Sequence, residues 1–103
     1  MTLATVSRLA IEGELTIYRA AELKPAVLEP LQGGSDLEID LSAVTEIDSA
    51  GVQLLMLSKR HAWTVQRELH LVGHSPAVLE VFELLDLAAF FGDPLLMPAT
   101  AAS

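Results

Sequence analysis

Residues 37–57 read LEIDLSAVTEIDSAGVQLLML, and this stretch decides the fold. Leu37, Ile39 and Leu41 alternate with Glu38 and Asp40, the period of a strand with one buried face. Val44 and Ile47 continue on a buried path. Asp48, Ser49, Ala50 and Gly51 then break the pattern with small and polar residues. From Val52 the chain is apolar nearly all round, through Leu54, Leu55, Met56 and Leu57. It turns polar at Ser58, Lys59, Arg60 and His61. The stretch reads as a strand feeding a helix that is buried at its start and emerges into solvent at its end.

On the N-terminal side, Leu9 and Ile11 alternate with Arg8, Ala10 and Glu12, which reads as a strand over residues 7–12. Gly13 punctuates it. Leu15 and Ile17 alternate with Thr16 and Tyr18 in a second strand, so a hairpin or a close pair is expected. Leu23, Val27 and Leu31 then recur at four-residue spacing, the stripe of a helix. Pro25 costs about 3 kcal/mol in a helix interior, so the helix either begins near Leu23 or kinks in its second turn. Pro30, Gln32, Gly33, Gly34 and Ser35 end it.

On the C-terminal side, residues 69–72 read as a strand, and Gly73 and His74 as a turn. Ser75 followed by Pro76 opens a helix, with a hydroxyl cap and proline at the first helical position. Val78, Phe82 and Leu85 form its apolar stripe. Phe90 and Phe91 read as a short last strand. The order is therefore β–β–α–β–α–β–α–(β). It implies an α/β domain: a mixed sheet of four to five strands with three main helices packed mostly on one face. Residues 1–93 form the domain, and residues 94–103 a flexible C-terminal tail.

Composition narrows the function. The chain has 103 residues and carries 14 acidic against 6 basic side chains, for a net charge of −8. A single core is the natural outcome at this length. The acidity argues against nucleic acid, whose phosphates need Lys and Arg, and against anionic membrane surfaces. The absence of cysteine excludes disulfides, Fe–S clusters, thiolate zinc sites and cysteine nucleophiles. No secretory leader is evident, and no apolar run approaches the ~20 residues of a membrane span. A cytoplasmic domain is expected.

No cofactor or metal is expected either. His61, His70 and His74 lack partners at ligand spacing and read as surface or turn residues. Gly33 and Gly34 precede a strand, so they make no phosphate loop. The pairs Glu12/Glu14 and Asp36/Glu38 read as solvated faces. No nucleophile, base and oxyanion site come together, so an enzyme ranks last.

The local anomaly is Asp48-Ser49-Ala50-Gly51. Its simplest reading is an N-cap by Asp48 or Ser49. Capping, however, does not call for Asp, Ser, Ala and Gly together. Small side chains leave the turn open to a partner, Gly51 permits close backbone approach, and a hydroxyl at an exposed helix start is accessible to a kinase.

Residues 41–55, LSAVTEIDSAGVQLL, resemble the signature of STAS domains, the family of bacterial anti-sigma factor antagonists. Gly13-Glu14-Leu15-Thr16 is similar to the family's turn before the first helix. Residues 71–78, with Phe82 to Leu87, are similar to its late strand and helix. The resemblance spans nearly the whole chain, in order. It implies a STAS-like fold and a non-enzymatic partner-switching module. In the family, the Ser or Thr after the motif's Asp is phosphorylated by a serine kinase that is also the anti-sigma factor, and a PP2C-type phosphatase removes the phosphate.

Carried over by position, the acceptor is Ser49. Ala50 replaces a second hydroxyl common in the family, so the acceptor is unambiguous. Thr16, Asp48, Ser49, Ala50 and Gly51 are the expected partner-binding residues. The family's antagonists often carry Asp where this chain has Thr16. The alternative implied is a cytoplasmic STAS subunit of a lipid-transport ABC complex, binding the ATPase. A phosphate adds about −1.5 to −2 charge, tolerated by the helix dipole at about 0.3–1 kcal/mol. Switching by electrostatic and steric exclusion of the partner, without refolding, is therefore expected.

Overall fold

A computed structural model describes residues 5–92. The elements are β1 (Val6–Leu15), α1 (Ile17–Gln32), β2 (Asp36–Ile47), α2 (Ser49–Thr64), β3 (Leu69–Val72), α3 (Pro76–Leu84) and a short α4 (Ala88–Phe91). Among the described residues the sheet has three strands, ordered β1-β2-β3, and both pairs are parallel. Alternation sets its faces. Leu37, Ile39 and Leu41 of β2, Ile11 and Leu15 of β1, and Leu69 and Leu71 of β3 are buried in one core with residues of α1, α2 and α3. The other face is polar. It carries an Arg8–Glu38 ion pair at 3.1 Å across β1 and β2 and the exposed His70 beside Glu68 at 3.2 Å.

The sheet thus differs from the expected mixed one of four to five strands. Gly13 sits at φ +80° but does not turn the chain back. β1 has 10 residues and β2 has 12. Irregularities opposite Ala10/Glu12 and Gly13/Glu14 place the two extra residues on β2. A bulge bends a strand in line rather than ending it. It also explains why buried positions on β2 pass from odd numbers at Leu37, Ile39 and Leu41 to even at Val44. Leu15 and Ile17, expected in one strand, fall instead at the end of β1 and the start of α1.

α1 begins six residues before Leu23, and Pro25 lies inside it, as does Pro30. Neither expected treatment of Pro25 describes the helix start. The first turn hid itself because Ile17 and Tyr18 are 66% and 87% exposed and show no apolar period. Pro25 is exposed, so its ring points away from the core that Leu23, Val27 and Leu31 fill. Phe90 and Phe91 lie in α4, not in a strand. Phe91 stacks on Phe82 at 5.2 Å between ring centroids, and Phe90 meets both Phe91 and Trp63. Adjacent rings used on the same core do not fit strand alternation. The expected tail, 94–103, lies outside the described residues.

α2 stays buried further than its sequence implies. Ser58 and Lys59 are both buried. Ser58 Oγ donates to the Leu54 carbonyl at 2.7 Å, and Lys59 Nζ donates to the Leu69 carbonyl at 2.7 Å. Lys59 thereby caps a carbonyl at the start of edge strand β3, where an unpaired group invites further pairing. α3 opens as read: Ser75 Oγ accepts the Val78 N–H at 3.2 Å, and Pro76 is the first helical residue. Its buried stripe is Val78, Leu79 and Phe82, whereas Leu85, expected in that stripe, is the C-cap residue and 53% exposed. His74 is buried with its ring edge toward Phe82, not at the surface.

Candidate functional site

The carboxyl ends of β1 and β2 deliver two helix starts side by side. Leu15 pairs with Ile47, and one residue beyond each strand stand Thr16 and Asp48. Both occupy N-cap positions in extended backbone, Thr16 for α1 and Asp48 for α2. Only Asp48 caps with its side chain. Its Oδ1 accepts the Gly51 N–H at 3.0 Å, the usual service to its own helix. Its Oδ2 accepts the Ile17 N–H at 3.0 Å, at the start of the other helix. Thr16 instead donates its hydroxyl to Glu14 Oε1 at 3.2 Å. One carboxylate therefore joins the positive ends of both helix dipoles. The amides of Gly51, and then of Ile17, hold the Asp48 carboxyl below the usual carboxylate value.

Gly51 explains how the ends come so close. A Cβ there would lie 2.0 Å from the Leu15 carbonyl oxygen and 2.9 Å from its carbon. The open approach that glycine offers is therefore filled from within, by β1, and Gly51 itself is buried. Arg19, which sequence reasoning passed over, secures the same corner. Its guanidinium donates to the Glu12 and Glu14 carbonyls and pairs with Glu22 at 3.0 Å. The carbonyls it takes lie in β1 where the pairing with β2 is irregular. No local sequence pattern marks such a partner.

Ser49 is the first residue of α2 and is exposed. Among the described residues its hydroxyl has no hydrogen-bond partner, because Asp48 already performs the capping. Ala50 beside it is half-buried. The five expected site residues thus lie in one corner, with distinct places: Ser49 outward, Ala50 on the flank, Asp48 bridging, Thr16 and Gly51 inside. Next to them is a groove of about 460 Å³ whose lining includes Glu14, Thr16, Tyr18, Glu46, Asp48 and Glu80. Four carboxylates make it strongly acidic. None of the described residues assembles a metal-binding cluster of His, Cys, Asp or Glu.

A family model described as Mlab, STAS domain matches residues 3–97. The chain belongs to the STAS domain family. No curated protein sequence matches it. Among solved structures, a candidate anti-sigma factor antagonist from Thermotoga maritima is 23% identical, with TM-score 0.77, over 94% of this chain and 84% of that one. The anti-sigma factor antagonist SpoIIAA in its unphosphorylated form gives 21% identity and TM-score 0.64, over 82% and 78%. The Bacillus SpoIIAA in its phosphorylated form gives 20% and 0.67, over 99% and 92%. These likenesses establish a shared fold. No described helix is long and apolar enough to cross a membrane.

Proposed function

We propose that this chain is a non-enzymatic signalling module of the anti-sigma factor antagonist type. It binds a serine kinase that is also an anti-sigma factor, and phosphorylation of Ser49 switches the binding. A PP2C-type phosphatase resets it. The single observation carrying this reading is the Ser49 hydroxyl, exposed on the first turn of α2 and relieved of capping by Asp48. Among the described residues a serine there caps nothing, and its hydroxyl is open to a kinase. The existence of SpoIIAA in both unphosphorylated and phosphorylated forms supports the reading by likeness.

The mechanism is exclusion. A phosphate at Ser49 stands at a helix N-terminus, which accepts negative charge, so the fold persists. It also follows directly on Asp48, which lines an acidic groove with Glu46 and Glu14. A partner seated over Ser49 and Ala50 then has to desolvate a dianion in an already acidic corner, a heavy cost. The test is phosphopeptide mapping of the protein isolated from its source, with identification of the co-purifying protein. Phosphate on Ser49 and a kinase partner are expected. A Ser49 that is never modified, with no kinase bound, contradicts the proposal.

A second reading is a STAS subunit of a lipid-transport ABC complex that binds the ATPase. Thr16 favours it. The antagonists often have Asp there, whereas this side chain is buried and turned to Glu14. Co-purification of an ABC ATPase in place of a kinase decides for it.

A further inference from the structure

Two grooves of opposite character meet the start of α2, one lined by Asp48 and the other by Ala50, the residues on either side of Ser49 in sequence. The one on the Asp48 side is acidic. The other, about 420 Å³, runs between α1 and α2 and begins at Ala50. Its walls are mostly apolar: Ala20 and Ala21 on α1, and Ala50, Leu54 and Leu57 on α2, with the exposed Gln53 among them and Leu57 39% exposed. Ala20, Ala21 and Lys24 share one ridge of α1, and Ala50 and Leu57 share one ridge of α2. Away from Ser49, the groove carries Lys24 and Arg60. Arg60 lies roughly 15 Å along α2 from Ala50, at 1.5 Å rise per residue.

These two cations are a third of the 6 basic residues in a chain with 14 acidic ones. Arg60 is held in place, its guanidinium carbon 5.4 Å from the centre of the Phe90 ring. A fixed guanidinium is suited to carboxylates. We propose that this groove receives an amphipathic helix of the partner protein. The helix lays an apolar stripe on Ala20, Ala21, Ala50 and Leu57 and sets its carboxylates against Lys24 and Arg60. The inference names the contact element of the partner and rests on the reading of this corner as a partner-binding surface.

Two physical arguments select that occupant. Two helices with Ala20 and Ala21 on one side and Ala50, Leu54 and Leu57 on the other leave a trough that a third helix fills, with anchors at i, i+3, i+4 and i+7. Charge then sets identity and register. A net charge of −8 repels an acidic helix over most of the surface, whereas Lys24 and Arg60 favour it at this groove. A basic helix meets the reverse: attraction to the acidic groove and repulsion here.

The experiment is a two-dimensional amide NMR titration of the full chain with two synthetic stapled helices. Both carry leucines at i, i+3, i+4 and i+7. One ends in two glutamates and the other in two lysines. Saturable shifts on residues 20–24 and 50–60 with the glutamate helix are expected. Binding of the lysine helix is expected to be about tenfold weaker, and the double variant Lys24→Glu, Arg60→Glu to reverse that preference. Both substituted side chains are exposed, and the variant's own spectrum verifies its fold. Equal binding of the two helices, binding of neither, or shifts confined to the groove of Glu14, Glu46 and Glu80 overturns the inference. If Ser49→Asp binds the glutamate helix as well as the unmodified chain does, the groove is upheld and only the switch at Ser49 fails.

Discussion

One carboxylate serves two helices at Asp48. Its oxygens take the amides of Gly51 in its own helix and of Ile17, a residue 31 positions away in sequence and joined to it only through the fold. Asp48→Ala is expected to lower the melting temperature by several degrees. Asp48→Asn, with a single acceptor oxygen, is expected to fall between it and the natural chain in thermal denaturation. A Tm for Asp48→Ala equal to that of the natural chain contradicts the bridge. The pH dependence has a defined sign. Asp48 is held below its ordinary 3.8 by Gly51 and Ile17 amides, and Asp40 likewise by the Ser42 amide and then its hydroxyl. A carboxyl with a depressed folded value contributes stability in full above pH 3.8, and that contribution disappears as pH falls through the folded value. Urea midpoints measured from pH 5 to pH 2 are expected to drop, and less steeply in Asp48→Asn. Gly51 is the other decisive residue. Ala there puts a Cβ 2.0 Å from the Leu15 carbonyl oxygen, against backbone that cannot yield cheaply. A loss of about 3 kcal/mol or more is expected by chemical denaturation.

The elements differ in how far their own residues announce them. β2 and α3 were legible because each obeys a single local rule: alternation across Leu37, Ile39 and Leu41, and the Ser75-Pro76 opening that the Val78 N–H bond realises. The junction at Asp48 was legible as a cap for the same reason. The start of α1 was not, because Ile17 and Tyr18 face solvent and write no period. β1 was cut short in reading because Gly13 resembles a turn, whereas β2 absorbs the irregularity with its two extra residues. The end of α2 was misread because Lys and Ser look solvated. Their polar atoms are spent on Leu69 and Leu54 carbonyls, which only the tertiary structure supplies. Lys59→Met keeps the stem and removes the donor, leaving the Leu69 carbonyl unpaired. A cost of about 1–3 kcal/mol is expected, with faster amide exchange along β3. Unchanged exchange there contradicts the role given to Lys59.

At the scale of the whole molecule, the sheet is a platform with one polar face and one face covered by helices, and the corner proposed for partner binding lies where β1 and β2 end. The corner is polarised: Asp48 shares a groove with the carboxylates of Glu14, Glu46 and Glu80, and Ala50 shares another with Lys24 and Arg60. Because the capping is done by Asp48, Ser49 is free to change charge without loosening either helix. The amide spectrum of the Ser49-phosphorylated chain is accordingly expected to differ from the unmodified one only around residues 14–18 and 46–53. The most direct measurement is isothermal titration of the co-purifying partner with the unmodified chain and with the chain phosphorylated on Ser49. The account requires tight binding by the first and a loss of about tenfold or more by the second. Equal affinity, at equal folding, contradicts it.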